Sequence, residues 1–295
     1  MGYLFALLSV FSGAVKGFCG KKLGNLSNTL QSAVFFNTVR MLLCVLFGFA
    51  FVAFSGDISA MSLSFDIMAI SALSGISTAL FVISWLMIIQ KSAYMLVDIF
   101  LTLGTIVPMC LCRIIFAERI TFRQWIGFFI LVAASIVMGS YNNSIKSKLS
   151  LASIGLLIFC GVSNGLTNFS QKLFVKQCSE IPTSVFNFYT YVSAAVILAI
   201  FLLLHVKGKR FETPMSSVKR GSVLIIIMAI ALFLNSYFKT EAAVYLDSAK
   251  LYPFSQGASL IVATLMAAIF FKEKVTLKCV FGIILAFVAL MVINL

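Results

Sequence analysis

The feature that most constrains this chain is a series of apolar stretches, each about twenty residues long, that runs through the whole sequence. Helices of that length cross the hydrocarbon core of a bilayer. Of the 295 residues, 61% are hydrophobic and only 11% are charged, whereas a soluble protein carries about a quarter charged residues. The sequence therefore predicts an integral membrane protein.

Ten membrane-spanning helices account for the apolar stretches. They cover approximately residues 2–20, 33–55, 65–90, 92–116, 123–140, 150–172, 183–205, 220–246, 251–271 and 276–294. The connections are short, and the longest is 206–219. The first stretch has no basic segment before it and no convincing cleavage site after it, so we interpret it as a retained helix rather than a signal peptide.

The net charge is +13, but most Lys and Arg residues lie between the apolar stretches. There they meet lipid headgroups and bias the orientation of the chain, so we expect the bilayer, and no nucleic acid, as a partner. The seven cysteines are odd in number and lie mostly inside apolar stretches without metal-ligand spacing. We expect neither a disulfide framework nor a metal or cofactor.

An internal repeat divides the chain. Residues 96–139 align without a gap on 251–294 at a constant shift of 155 (251 minus 96). A shift of 150 (172 minus 22) aligns the beginnings of the two halves, where Lys22 falls on Lys172 and Asn37 on Asn187. The aligned motif residues are Phe116 with Phe271, Glu118 with Glu273, Arg119 with Lys274, Thr121 with Thr276 and Gly127 with Gly282.

Each half of the repeat, 1–145 and 146–295, then contains five helices. Because five is odd, the second half inserts upside down relative to the first. Inverted repeats are a transporter architecture in which the substrate site lies near the midplane between the halves. The predicted fold class is an all-α integral membrane protein with ten transmembrane helices in two inverted five-helix repeats.

The repeat motif resembles the drug/metabolite transporter superfamily, in its ten-helix EamA-type branch. The residues that carry the resemblance are Pro108, Phe116–Arg119, Thr121, Gly127 and Gly139, with Phe271–Lys274, Thr276 and Gly282 in the second half. The second half departs from the pattern with Ala263 in place of the proline and Asn294 in place of Gly139. The resemblance implies a transporter of a small molecule such as an amino acid, a drug, a nucleotide sugar or another metabolite.

The repeated Glu118 and Glu273 have two interpretations. They are candidates for proton coupling, but both lie at helix ends, next to Arg119 or Lys274 and near the start of the next helix. A carboxylate there interacts favourably with the positive end of a helix dipole and pairs with a neighbouring base. We favour the structural interpretation.

Polar groups within the apolar stretches are the best indicators of a substrate pathway, because they are costly in hydrocarbon unless they face a cavity or one another. Some share a helix face: Asn164 and Asn168 lie four residues apart, as do Asp98 and Thr102. The alternative is that such groups join helices. The candidate substrate-binding residues are Lys16, Asn37, Arg40, Asp98, Asn164, Asn168, Asn187, Asn235, Lys239, Glu241, Ser255 and Gln256.

Among these candidates the cations Lys16, Arg40 and Lys239 outnumber the acids Asp98 and Glu241. We therefore hypothesise a small-molecule substrate that carries a carboxylate or phosphate, for example an amino acid. Asp98 or Glu241 is a candidate proton acceptor for proton-coupled transport. Two alternatives stay open: a non-transporting binding or scaffold subunit, and a flippase of a lipid-linked metabolite.

An enzyme is disfavoured. Residues 161–165 match the Gly-x-Ser-x-Gly pattern of hydrolases, but that pattern functions at a strand–turn–helix junction, which is absent from this apolar context. A catalytic serine also needs a base, but His205 ends its span whereas Ser163 lies near the middle of the membrane. The two are therefore separated in depth by roughly 20 Å, which is too far for a hydrogen bond. We expect a multi-pass protein of a bacterial plasma membrane. The family resemblance implies cytoplasmic termini, whereas the distribution of Lys and Arg favours the opposite orientation.

Overall fold

A computed structural model shows the chain as a bundle of helices. The structure describes residues 1–24, 30–91, 94–139, 151–206, 215–270 and 276–294. The helices of the first half are α1 (Gly2–Gly24), α2 (Leu30–Phe54), a short 3-10 helix (Asp57–Ala60), α3 (Phe65–Lys91), α4 (Tyr94–Gly104), α5 (Ile106–Phe116) and α6 (Phe122–Gly139). Those of the second half are α7 (Leu151–Gln177), α8 (Thr183–Val206), α9 (Met215–Tyr245), α10 (Ser248–Phe270) and α11 (Leu277–Asn294).

The outer surface of the bundle is apolar. Large side chains such as Ile114, Phe129 and Leu203 are more than half exposed, which suits contact with lipid tails but not with water. Within the described residues, seven segments are long and apolar enough to span a membrane, and α4 and α5 together form one of them. The all-helical membrane fold predicted from the sequence is confirmed.

Within the fourth predicted span, 92–116, the structure has two helices that together form one membrane-crossing segment. Thr105 separates α4 from α5, and its N–H donates to the carbonyl of Thr102 at 3.1 Å, a tighter turn than an α-helix makes. Pro108 lacks an N–H, and its ring crowds the carbonyl of Gly104 four residues earlier. The repeat places Ala263 at the position equivalent to Pro108, and α10 is continuous there.

The helices pack in pairs that the repeat relates to one another. α1 packs against α9 and α10, and its equivalent α7 packs against α3 and against α4 and α5. α2 packs against its own equivalent α8, and α6 packs against its equivalent α11. Exchanging each helix for its counterpart therefore reproduces these contacts, as expected for two halves related by a pseudo-two-fold axis.

The contact between α6 and α11 shows this symmetry at the level of single residues. A Cβ atom on Gly127 would lie 2.5 Å from Ile293 and 3.0 Å from the carbonyl oxygen of Ala289. A Cβ atom on Gly282 would lie 2.2 Å from Met138 and 3.3 Å from the carbonyl oxygen of Ala134. The shift of 155 that aligns the two glycines also aligns Met138 with Ile293 and Ala134 with Ala289.

Both ends of the chain lie on one side of the bundle. The hydroxyl of Tyr3, at the start of α1, donates to the side-chain oxygen of Asn294, at the end of α11. We call this side the terminal face. The predicted boundary between residues 145 and 146 lies outside the described residues, so the division into 1–145 and 146–295 stays a prediction.

Candidate functional site

A cavity lies inside the bundle where α1, α3, α4, α7, α9 and α10 meet. It has a volume of about 70 Å³. Six of the twelve predicted site residues line it: Lys16, Asp98, Asn164, Asn235, Lys239 and Gln256. The cavity is completed by Gly13, Ala14, Gly17, Phe81, Trp85, Leu101, Ser259 and Ala263.

Three charged groups face this cavity without pairing tightly. Asp98 is 7% exposed, and its Oδ2 atom is buried without a hydrogen-bond partner. The ammonium of Lys16 lies against aromatic rings, 5.5 Å from the centroid of Phe81 and 5.9 Å from that of Trp85. The Lys239 ammonium makes one long hydrogen bond, of 3.5 Å, to the side-chain oxygen of Asn168. Two cations and one anion therefore remain available to a ligand.

The amide of Asn235 is held in place from α1. Its nitrogen donates to the carbonyl oxygen of Ser9 at 2.7 Å and to the hydroxyl of the same residue at 3.1 Å. The α1 backbone is accessible here because Gly13 has no side chain: a Cβ atom on it would lie 3.0 Å from the Asn235 nitrogen. Gly13 and Gly17 next to Lys16 thus contribute space to the cavity as well as helix packing.

Asn37 and Asn187 join helices and do not line the cavity. The Asn37 amide donates to the carbonyl of Val82 at 3.1 Å, which links α2 to α3. Asn187 accepts a 2.6 Å hydrogen bond from the Ser236 hydroxyl, which links α8 to α9. The repeat aligns these two asparagines, so each half uses the same amide to fix its second helix.

Four further predicted residues do not line the cavity: Arg40 lies on α2, and Asn168, Glu241 and Ser255 lie close in sequence to residues that do line it. Asn168 lies one helical turn beyond Asn164 and is buried. Glu241 is partly exposed and lies two residues beyond Lys239, on another face of α9. Ser255 is buried next to Gln256, and its hydroxyl has no hydrogen-bond partner.

The sequence analysis missed the aromatic wall of the cavity, Phe81 and Trp85. Both belong to α3, whose polar residues between 67 and 89 are Ser and Thr, so no charged or amide side chain marks a cavity face. One signal was available: Gly20 on α1 leaves room for the Trp85 ring, since a Cβ atom there would lie 2.3 Å from that ring. Ser259 follows the predicted Gln256 on α10 and was also missed.

Comparisons with known proteins place this bundle in a family. Residues 151–295 match the EamA-like transporter family. Residues 151–295 belong to this family of the drug/metabolite transporter superfamily. A solved crystal structure has the same fold with a TM-score of 0.75 and 12% sequence identity, covering 99% of this chain and 95% of that chain. None of the curated proteins compared with this chain matches it. The protein is accordingly a membrane transporter.

In this transporter a polar layer separates the cavity from the terminal face. Along α7, Asn164 lines the cavity, and one turn further the Asn168 carbonyl accepts a hydrogen bond from the buried hydroxyl of Tyr252. Lys172 follows after another turn and is 2% exposed. The polar face predicted from Asn164 and Asn168 therefore continues to Lys172 at a closed end of the bundle.

Lys172 and Glu118 form the outer part of this layer. We call Lys172, Glu118 and Ser248 together the terminal latch. The ammonium lies 3.5 Å from Oε1 of Glu118 and donates to the carbonyl oxygens of Ala243 at 2.8 Å and Leu246 at 2.7 Å. Oε2 of Glu118 accepts the backbone N–H of Ser248 at 3.0 Å and also its hydroxyl. The latch ties the loop after α5 to α7 and to the ends of α9 and α10.

The first-half copy of the repeat motif makes structural contacts, with different partners from those expected. Ala117 adopts a left-handed conformation with φ of 53°, which ends α5. Glu118 then caps the N-terminus of α10 rather than that of the following helix. Thr121 and Gln124 cap α6 reciprocally, through hydrogen bonds of 2.9 and 3.3 Å. Glu273 lies outside the described residues.

The Gly-x-Ser-x-Gly pattern of residues 161–165 is a helix contact in this transporter. A Cβ atom on Gly161 would lie 2.4 Å from the carbonyl oxygen of Phe100, and one on Gly165 would lie 2.5 Å from that of Gly104. Both glycines let α7 approach α4 closely. Ser163 between them is buried.

Proposed function

We propose that the protein is a secondary carrier that moves a small anionic or zwitterionic metabolite, for example an amino acid, by alternating access. One observation carries the proposal: the cavity inside the bundle exposes the two ammonium groups of Lys16 and Lys239 and the carboxylate of Asp98. Charges inside a membrane are costly unless they are paired or face a pathway. A substrate carboxylate or phosphate satisfies the lysines, and a substrate ammonium satisfies the Asp98 oxygen.

The size of the cavity favours a small substrate. A volume of about 70 Å³ corresponds to roughly five water-sized spheres. A molecule with about that number of non-hydrogen atoms fits without any widening of the cavity. Larger metabolites require the helices around the cavity to move apart.

The terminal latch supports alternating access. It closes the terminal face in this conformation, because Lys172 and Glu118 are buried and bonded to both α9 and α10. Its first-half equivalent, Lys22, is exposed, and its ammonium lies 4.4 Å from the centroid of the Phe18 ring. The two equivalent lysines thus occupy different environments, as expected of an inverted repeat in one of its two states. Opening the cavity to the terminal face requires the latch to separate.

Two further features belong to the proposal. Asp98 is the favoured proton acceptor if transport is proton-coupled, because its carboxylate faces the cavity whereas Glu241 does not line it. Both termini lie in the cytoplasm of a bacterial cell, and a reporter fused to the C-terminus tests this orientation.

A non-transporting scaffold is the weaker candidate. In a scaffold the interior polar groups need only join helices, as those of Asn37 and Asn187 do. The unpartnered oxygen of Asp98 and the two loosely bonded lysines have no such role.

The proposal is tested by uptake into liposomes that contain the purified protein. Radiolabelled amino acids and small carboxylates are the probes, and unlabelled anions, zwitterions, neutral compounds and cations are the competitors. We expect anions and zwitterions to compete, and Lys16→Met to weaken their competition. Competition by neutral and cationic compounds alone overturns the proposed substrate class. Binding without uptake of any compound favours the scaffold.

A further inference from the structure

Arg40 is a buried cation that the cavity does not explain. It lies on α2, is 2% exposed, and does not line the cavity. Its Nε and Nη2 atoms are buried without a hydrogen-bond partner. A guanidinium carries five donors in a fixed planar fork that matches a carboxylate or a phosphate. An arginine inside a membrane therefore calls for an anionic partner.

The chain supplies no anion to this guanidinium among its described residues. Arg40 interacts electrostatically with the Cys44 thiol and the Tyr191 hydroxyl. Both neighbours are neutral groups whose hydrogens are directed to α9: the thiol donates to the carbonyl of Ala229 at 3.4 Å, and the hydroxyl donates to that of Leu232 at 3.1 Å. Neither neighbour balances the charge of Arg40.

Arg40 does not line the cavity, but it interacts electrostatically with a residue that does. Lys16, which lines the cavity, interacts with Arg40, Lys239 and Asp98. These three cations and one acid leave two positive charges in excess inside the membrane. Transfer of a proton from Lys16 to Asp98 does not change that excess. Glu241 does not line the cavity and interacts electrostatically with Tyr237.

We propose that the substrate is a small dianion, either a dicarboxylate or a phosphate monoester, and that Arg40 is the residue that selects the second negative charge. This inference rests on the proposed function and specifies its substrate class. A monoanion or a zwitterion leaves the Arg40 guanidinium unbalanced, whereas a dianion neutralises the whole group. Arg40 acts through the field at Lys16, or directly once its side chain turns towards the bound substrate.

Matched pairs of small ligands test the effect of ligand charge while the ligand shape stays nearly the same. Methyl phosphate is compared with methyl sulfate at about pH 8, where a phosphate monoester carries two charges. Malonate is compared with its monoamide, malonamate. Binding is measured by the thermal shift of the purified full-length protein in detergent and by titration calorimetry. The two pairs also distinguish the sources of the dianion, because preference for methyl phosphate indicates a phosphate monoester and preference for malonate a dicarboxylate.

The wild-type protein should bind the dianion of at least one pair roughly ten- to a hundredfold more tightly than its monoanionic partner, since a hydrogen bond to a charged group is worth that factor. Arg40→Gln should abolish this difference, whereas Arg40→Lys should retain part of it. Arg113→Gln, on the exposed surface of α5, is the control and should retain all of it.

Each outcome separates the two proposals. Equal binding of monoanion and dianion by the wild-type protein overturns the dianion proposal and leaves the carrier of small anions intact. A dianion preference that persists in Arg40→Gln overturns the role of Arg40. If no anion or zwitterion binds, the proposed function fails as well. The wild-type comparison needs no variant, so it remains decisive if Arg40→Gln does not fold.

Discussion

The ammonium of Lys172 lies 3.5 Å from the carboxylate of Glu118, and both side chains are at most 5% exposed. The pair joins the two halves of the chain, since Glu118 follows α5 in the first half and Lys172 belongs to α7 in the second. Because Lys172 also donates to two carbonyl oxygens at the end of α9, its removal leaves several buried polar groups without partners.

Lys172→Met should destabilise the protein by about 3–5 kcal/mol, because it strands a buried carboxylate. Glu118→Gln should cost less, since the amide can still accept the N–H of Ser248. Lys176→Met is the matched control: it lies one turn along α7, is exposed, and should have almost no effect. Thermal unfolding in detergent measures all three variants. Equal stability of Lys172→Met and Lys176→Met contradicts the assigned contacts.

The two equivalent glycines, Gly127 and Gly282, should lose similar amounts of stability when each is replaced by alanine. Gly127→Ala and Gly282→Ala each force a Cβ atom into the facing helix, at 2.5 Å from Ile293 and 2.2 Å from Met138. We expect each to lose about 1–3 kcal/mol of stability through overpacking. Gly155→Ala is the control, because a Cβ atom there meets nothing within 4 Å. It should instead stabilise the helix by about 0.5–1 kcal/mol.

Shortening the facing side chain should relieve that overpacking. Met138→Ala combined with Gly282→Ala is therefore expected to be more stable than the sum of the two single variants predicts. Simple additivity of the two effects in thermal unfolding shows that the α6–α11 contact is not the origin of the cost.

Lys16 should contribute directly to anion binding. Lys16→Met is expected to weaken the affinity for a bound anion by roughly tenfold or more, because a charge-assisted hydrogen bond is lost in a site shielded from water. Lys22→Met, on the exposed surface of the same helix, should leave the affinity unchanged. Titration calorimetry with the anion that binds best measures both variants. A comparable loss in Lys22→Met would assign the effect to surface charge rather than to the cavity.

Asp98 provides the test of proton coupling. If it carries the coupled proton, uptake by the wild-type protein should fall when the proton gradient is collapsed. Uptake by Asp98→Asn should then be insensitive to the gradient, because the amide does not titrate. Glu241→Gln is the matched variant and should keep the wild-type dependence, since Glu241 does not line the cavity. Wild-type uptake that ignores the gradient removes the coupling proposal.

The sequence predicted six of the fourteen residues that line the cavity and missed the others for identifiable reasons. Lys16, Asp98 and Lys239 were found because a charge inside an apolar stretch is conspicuous in any sequence. Phe81 and Trp85 were missed because an aromatic side chain is equally compatible with a lipid-facing or a cavity-facing position. Asn37 and Asn187 resemble Asn164 in the sequence, yet in the structure they bond to neighbouring helices instead of facing the cavity.

The sequence alone determined that the chain spans a membrane and that its halves repeat. The length of each apolar stretch matches the thickness of the hydrocarbon core of a bilayer. The constant sequence offset of the repeat, for example between Gly127 and Gly282, can be read from the sequence alone. Only the tertiary structure decided that Glu118 pairs with Lys172 rather than with the adjacent Arg119, and that no acidic side chain in the described part of the chain lies beside Arg40. These facts depend on how helices distant in sequence are rotated and packed against one another, and an apolar helix sequence does not record that rotation.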